Sequence, residues 1–251
     1  MQPLEICGYE ILGRLSKGVF EATRGGDTYV LRRQTNPNTH EITVAKATKG
    51  IPGIVPFVET ISTSSQTLLV QKYVGDTDVN DFMRVLEATG EAMAVPLFQR
   101  IGIGAASAVN AVNKAGYSHG DVTSRNIRID EQIQPHLLDL GSARPITERK
   151  SREVFATPGF AAPEQYDGDT SPASDVYGTG AVLYHLAHGK QPMQIPGGMT
   201  LDEAREMMAN PPLRQTGTGS PRLDSLLGAM LAFNATDRPT MPEVIAELKH
   251  L

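Results

Sequence analysis

One cysteine, no tryptophan and an aromatic content of only 6% bound what this 251-residue chain can be. Cys7 has no second cysteine to pair with, so no intrachain disulfide is possible, and a reducing compartment such as the cytoplasm is expected. The sequence has no cysteine pair, no His-Glu-x-x-His run and no EF-hand loop, which argues against a zinc or calcium site built by the protein alone. His40, His136, His185, His188 and His250 read as surface or packing residues. The lack of tryptophan also argues against a stacking platform for single-stranded nucleic acid. A formal charge of −5 gives no electrostatic reason to expect nucleic acid or an anionic membrane as partner. No run of about eighteen apolar residues and no charged-then-apolar leader occurs, so no membrane-spanning or targeting segment is expected. Neither a Gly-x-Ser-x-Gly elbow nor a complete Walker loop is present.

What is there suffices for a large core. A chain of this length buries roughly 70–75% of its unfolded surface without staples. The N-terminal part is rich in β signals. Residues 9–15 and 28–33 read as strands around the turn Arg24-Gly25-Gly26-Asp27, and 54–61 and 67–74 as two more. Between them a helix is expected with Thr39 as N-cap and Glu41 in its first turn, ended by Lys49-Gly50-Ile51-Pro52-Gly53. Beyond residue 80 the pattern turns helical: 97–115, 173–188, 200–209, 221–233 and 240–250. A small hairpin is expected where Ile127-Arg128-Ile129 and His136-Leu137-Leu138 flank Asp130-Glu131-Gln132. Strands first and helices after argue for an α+β fold in two lobes.

The chemistry is concentrated in His119-Gly120-Asp121-Val122-Thr123-Ser124-Arg125-Asn126, followed by Asp139-Leu140-Gly141. Phosphoryl transfer needs one carboxylate to orient a hydroxyl nucleophile, and oxygen donors to hold Mg²⁺ against the phosphates. Asp121, Asn126 and Asp139 supply that set.

With these motifs the chain resembles the eukaryotic-like serine/threonine protein kinase family, over nearly its whole length and in the family's order. Gly13 to Thr23 stands at the glycine-rich loop, with Ser16, Gly18 and Glu21 at its three glycine positions. Arg32 stands at the lysine of the family's third strand, Glu41 at its helix glutamate, and Lys72 to Val74 at the hinge. Thr157 to Glu164 resembles the end of an activation segment, Ser174-Asp175 the start of a central helix, and Asp237-Arg238-Pro239 the late arginine motif. The resemblance implies a bilobal kinase fold: residues 1–74 as a five-stranded sheet with one helix, and residues 75–251 as a helical lobe. It implies ATP near Ser16, Gly18, Arg32, Glu41, Lys72 and Val74, and Mg²⁺ on Asn126 and Asp139. Asp121 aligns the hydroxyl. His119 packs beneath the site, Glu164 and Arg238 form a buried ion pair, and Asp175 accepts N–H groups of the catalytic loop. Thr157 matches a threonine that serine/threonine kinases place against the catalytic aspartate, although Thr123 replaces their lysine and Arg125 sits where tyrosine kinases often have arginine. Thr147 and Ser151 are the hydroxyls of the activation segment.

Four departures qualify the resemblance. Only Gly18 keeps the backbone freedom of the glycine loop, and Glu21 adds negative charge beside it. Arg32 is a larger planar fork than lysine, so the swap is not conservative; Arg33 is its register alternative, on the opposite face. Gly120 replaces an arginine that ordinarily receives an activation-loop phosphate, so activity is expected to be independent of phosphorylation at Thr147 or Ser151. Arg144, Arg149, Lys150 and Arg152 could still bind an anion there, or form a solvated loop. Lys72 stands where the hinge often has glutamate, and Gln71 is the expected gatekeeper. Phosphoryl transfer from Mg-ATP to Ser/Thr of a protein substrate is the leading expectation, with a regulator, where there is one, on another chain. A pseudokinase acting as a nucleotide-binding or scaffold module is the alternative favoured by Arg32 and the degraded loop. A small-molecule kinase of aminoglycoside-phosphotransferase type is favoured by His-Gly-Asp and Val30-Leu31-Arg32, and disfavoured by Ala162-Pro163-Glu164, Asp175 and Arg238.

Overall fold

The β signals near the N-terminus assemble into one antiparallel sheet of six strands in the order β1-β2-β3-β4-β6-β5. The computed structural model describes residues 4–34, 40–63, 66–148, 150, 156–209 and 217–251. The strands are β1 (Glu5–Ile6), β2 (Tyr9–Ser16), β3 (Val19–Arg24), β4 (Asp27–Gln34), β5 (Phe57–Ser62) and β6 (Thr67–Lys72). The expectation of five strands therefore falls one short: Glu5 and Ile6 turn back on Glu10 and Tyr9 through Cys7 and Gly8 and add a short edge strand. Gly25-Gly26 forms the two-residue turn between β3 and β4, with Arg24 facing Asp27 in register. Helix α1 (His40–Ala47) follows β4. Thr39, its expected N-cap, lies outside the described residues, as do Arg149, Ser151 and Arg152.

Alternation along β4 sets the two faces of the sheet. Tyr29 and Leu31 join Tyr9, Ala22, Ile61, Leu68 and Val70 in a small separate core. Val30, Arg32 and Gln34 point to the other face, towards the cleft and α1. Arg33 is exposed on the outer side, and its amide donates to the Gly18 carbonyl at 2.7 Å. Arg32, not Arg33, is thus the cleft residue.

The helical part comprises α2 (Val79–Thr89), α3 (Val95–Lys114), α4 (Pro172–His188), α5 (Leu201–Ala209), α6 (Pro221–Met230) and α7 (Met241–Leu248). Helix α2 has no counterpart among the sequence expectations. Its signals are nonetheless there: Asp78 caps the Asp81 amide at 2.8 Å, Gly90 closes the helix, and Val79, Met83 and Leu86 are buried at helical spacing. Expected to reach 233, α6 stops at Met230, because the carbonyls of Ala232 and Phe233 turn inward to Arg238. Helix α3 packs against α4 and α7, and α4 is buried along almost its whole length. The strand pairs β7 (Tyr117–Ser118) with β10 (Arg144–Pro145), and β8 (Ile127–Ile129) with β9 (Pro135–Leu137), bracket the loop that carries Asp121. The larger core runs through all these helices and also takes in Ile42, Val44 and Ala45 of α1. No helix among the described residues is long and apolar enough to cross a membrane.

Candidate active site

The loop 119–126 is held from below. Asp175, in the first turn of α4, accepts the His119 amide at 2.8 Å, the Gly120 amide at 2.9 Å and Asn113 Nδ2 at 2.7 Å. Burial pushes the Asp175 carboxyl up, and these donors together with the neighbouring His119 ring oppose that shift. His119 is fully buried. Its Nδ1 accepts the Asp121 amide at 3.3 Å, so Nε2 carries the proton that goes to the Leu138 carbonyl at 2.9 Å. With both nitrogens engaged in the scaffold, His119 faces no reacting atom.

Gly120 explains its own departure from the family pattern. Its φ is +80°, and a Cβ there would stand 2.8 Å from the Ser142 carbonyl oxygen. An arginine at this position would be strained and would collide with backbone. The Gly120 carbonyl instead accepts Gln165 Nε2 at 2.7 Å.

Asp121 is fixed at both oxygens. Thr157 Oγ1 donates to Oδ1 at 2.6 Å, and Asn126 Nδ2 donates to Oδ2 at 2.9 Å and to the Asp121 carbonyl at 2.8 Å. Thr123 is buried, and its hydroxyl accepts the Asn126 amide at 3.3 Å. The threonine in place of the family's lysine thus braces the loop. Arg125 is exposed.

Across the cleft stands a second cluster. Asp139 adopts a left-handed conformation, with φ 56°, and its Oδ1 accepts Arg32 Nη1 at 2.9 Å. Arg32 Nε lies 3.6 Å from Glu41 Oε1, too far for a hydrogen bond, and it has no other partner among the described residues. Glu41 Oε2 accepts Gln34 Nε2 at 2.8 Å. Burial raises the Glu41 carboxyl above the usual range, and Asp139 adds to the shift, against the opposing pull of Arg32 and Gln34.

The cleft leading to this cluster holds about 340 Å³. Ser16, Arg32, Lys72 and Val74 line it, as do Val19, Val30 and Leu138; Gly18 and Glu41 do not. Gly18 sits in the tight turn between Ser16 and Val19, and its carbonyl is taken up by β4. The ammonium of Lys72 turns outward to Asp27, at 2.6 Å. Gln71 is buried at the back, as expected of a gatekeeper. Glu21 lies beside the hinge: desolvation, a hydrogen bond to Asp76 and the Glu21 charge together push the Tyr73 hydroxyl up to about 12. Arg128 lines the cleft floor, a residue read from the sequence only as part of a strand. The alternation of Ile127, Arg128 and Ile129 could have marked it, since a lone cation between two buried isoleucines must face another surface.

Mg²⁺ fits the donors at this end. Asp139 offers a carboxylate, and Asn126, with its amide N–H groups committed to Asp121, offers a hard carbonyl oxygen. Among the described residues no group of three or more His, Cys, Asp or Glu could hold a metal. The remaining ligands would have to come from phosphate and water.

Glu164, at the end of the 157–164 segment, is tied to the helical part by Arg238. They pair at 2.6 and 2.8 Å, and Arg238 also donates to the carbonyls of Ala173, Ala232 and Phe233. Burial alone would raise the Glu164 carboxyl; pairing with Arg238 outweighs it and holds the group below the usual range. Thr147 is exposed in the turn after β10, and Ser151 lies outside the described residues.

The fold and the sequence both have counterparts among known proteins. A solved structure of the Cydia pomonella granulovirus kinase, PK-1, superposes with a TM-score of 0.81 at 21% identity, covering 95% of this chain and 92% of that one. The serine/threonine-protein kinase PknB of Mycolicibacterium smegmatis is 29% identical over 189 residues, 72% of this chain and 29% of that protein. The probable serine/threonine-protein kinase MARK-A of Dictyostelium discoideum is 28% identical over 200 residues, 77% of this chain and 18% of that protein. The chain thus spans under a third of the length of either relative. The family model described as the protein kinase domain matches residues 29–248, which include Arg32 and Lys72 of the cleft, the Asp121 loop and the Glu164–Arg238 lock, but not Ser16 and Val19. The chain therefore belongs to the protein kinase domain family.

Proposed function

We propose that this chain transfers the γ-phosphoryl group of ATP to serine or threonine hydroxyls of a protein substrate. The observation that carries the reading is the Asp121 carboxylate, held by Asn126 on one oxygen and by Thr157 on the other. Each oxygen keeps a lone pair for an incoming hydroxyl. That hydroxyl oxygen bonds the γ-phosphorus as the bond to the β–γ bridging oxygen breaks; Asp121 receives the proton and ADP leaves. Mg²⁺ on Asn126 and Asp139 would neutralise charge on the phosphates. Orientation by Asp121 is worth on the order of 10²–10⁴ in rate. The hydroxyl of Thr157 at Asp121 favours Ser/Thr over tyrosine acceptors.

The test is phosphate incorporation from γ-labelled ATP into basic protein substrates by wild type and Asp121→Ala. Loss of about 10²–10⁴ in turnover with nucleotide affinity retained is expected. The contact of Arg32 with Asp139 favours a second reading, nucleotide binding without transfer. Equal incorporation by wild type and variant would decide for it.

A further inference from the structure

Gln34 is a side chain that the transfer chemistry does not use. It lies two residues beyond Arg32 on β4, on the same face, and is buried. Its amide donates to Oε2 of Glu41 at 2.8 Å, leaving Oε1 to face Arg32. A guanidinium pairs best with a carboxylate through two parallel N–H bonds. Here that fork–fork pair is not made: Arg32 Nε stands 3.6 Å from Oε1 with no hydrogen bond, while Nη1 is engaged by Asp139 at 2.9 Å. Asp139 is the carboxylate required by the metal.

We propose that Gln34 is a positioning residue that sets metal affinity: by anchoring Oε2 of Glu41 it fixes the rotation of that carboxylate, so that Arg32 meets Oε1 alone and its Nη1 is stationed as an internal cation on Asp139. The inference rests on the reading of Asp139 as a metal ligand. A divalent cation must displace Arg32 Nη1 from Asp139, and the displaced arginine finds the Glu41 carboxylate held with Oε1 alone towards it. Lysine in place of Arg32 is a point charge without a fork and cannot bridge the two acids in the same way. Removing the Gln34 amide frees the Glu41 carboxylate to rotate, lets Arg32 close a two-bond pair with it, and releases Asp139.

The experiment is Mn²⁺ binding followed by electron paramagnetic resonance on the full chain without nucleotide. Wild type, Gln34→Leu, Gln34→Asn, Arg32→Lys, the double variant Gln34→Leu/Arg32→Lys, and Asp139→Asn are compared, with thermal melting to verify folding. Both Gln34 variants should bind Mn²⁺ about five- to tenfold more tightly, the equivalent of one hydrogen bond redirected. On the Arg32→Lys background the Gln34→Leu change should add nothing. Their affinity for ATP in excess chelator should stay within about twofold of wild type, whereas mere loosening of the fold would weaken both ligands. Unchanged or weaker Mn²⁺ binding by folded Gln34 variants overturns the proposal, and so does an equal gain on the Arg32→Lys background. Mn²⁺ binding indifferent to Asp139→Asn removes the metal-site reading itself, and the proposal with it.

Discussion

The loop that carries Asp121 and the cleft residue Arg32 are held in different ways. The loop of Asp121 is anchored by a buried carboxylate, two backbone amides, a histidine with both nitrogens engaged and a glutamine on the Gly120 carbonyl. The groups just named all have partners, which favours a single arrangement of the loop. Arg32 stands between two acids, with one of its nitrogens lacking any hydrogen bond. Its side chain is 26% exposed. The helical side is organised to hold one geometry, and the sheet side to exchange partners when a ligand arrives.

Breaking the rigid side should cost most. Arg238→Ala strands the Glu164 charge in a mostly buried position, and a loss of about 3–5 kcal/mol is expected in denaturant titration. The two sides also respond to pH in opposite directions. Glu164 is depressed, so its stabilisation is complete above the unfolded glutamate value of about 4.3 and is lost as pH falls through the lower folded value. Glu164→Gln should flatten that acid limb. Glu41 is raised, so its contribution is present below the unfolded value and declines as pH rises through the folded one.

A smaller effect is expected from Gly120→Ala, at φ +80° and against the Ser142 carbonyl: about 1–3 kcal/mol of stability, read by thermal melting. Thr157→Ala removes a charge-assisted hydrogen bond from Asp121 and should slow turnover by about 10- to 100-fold, with melting little changed. The smallest effect belongs to the activation segment. Replacing Thr147 and Ser151 together by alanine should leave turnover within about twofold, because Gly120 offers no guanidinium to a phosphate. Near-complete loss of activity in that variant would break the contrast between a fixed loop and a phospho-switched one.

Much of the rigid side was legible in the sequence, because its residues recur at fixed offsets within short motifs. Helices α3 and α4 fall within two residues of their expected starts, since Gly116 and Pro172 mark their limits in the chain itself. What could not be read depends on partners distant in sequence. The inward turn of the Ala232 and Phe233 carbonyls that shortens α6 exists only because Arg238 returns to meet them. Nothing near Arg32 in the chain announces Asp139, 107 residues away, as its partner. The outward turn of Lys72 depends on Asp27, across the sheet. The Gly120 substitution was visible, but its cause, the Ser142 carbonyl, was not.

The division of apolar residues between two cores has a mechanical consequence. Ile42, Val44 and Ala45 of α1 belong to the core of the helical part, while Tyr9, Leu31 and Val70 form a small core of their own on the outer face of the sheet. Cooperative opening follows shared burial. The outer strands can therefore fray or breathe as a unit while α1 stays docked, and backbone amides of α1 should exchange with deuterium on the slow schedule of α3 and α4.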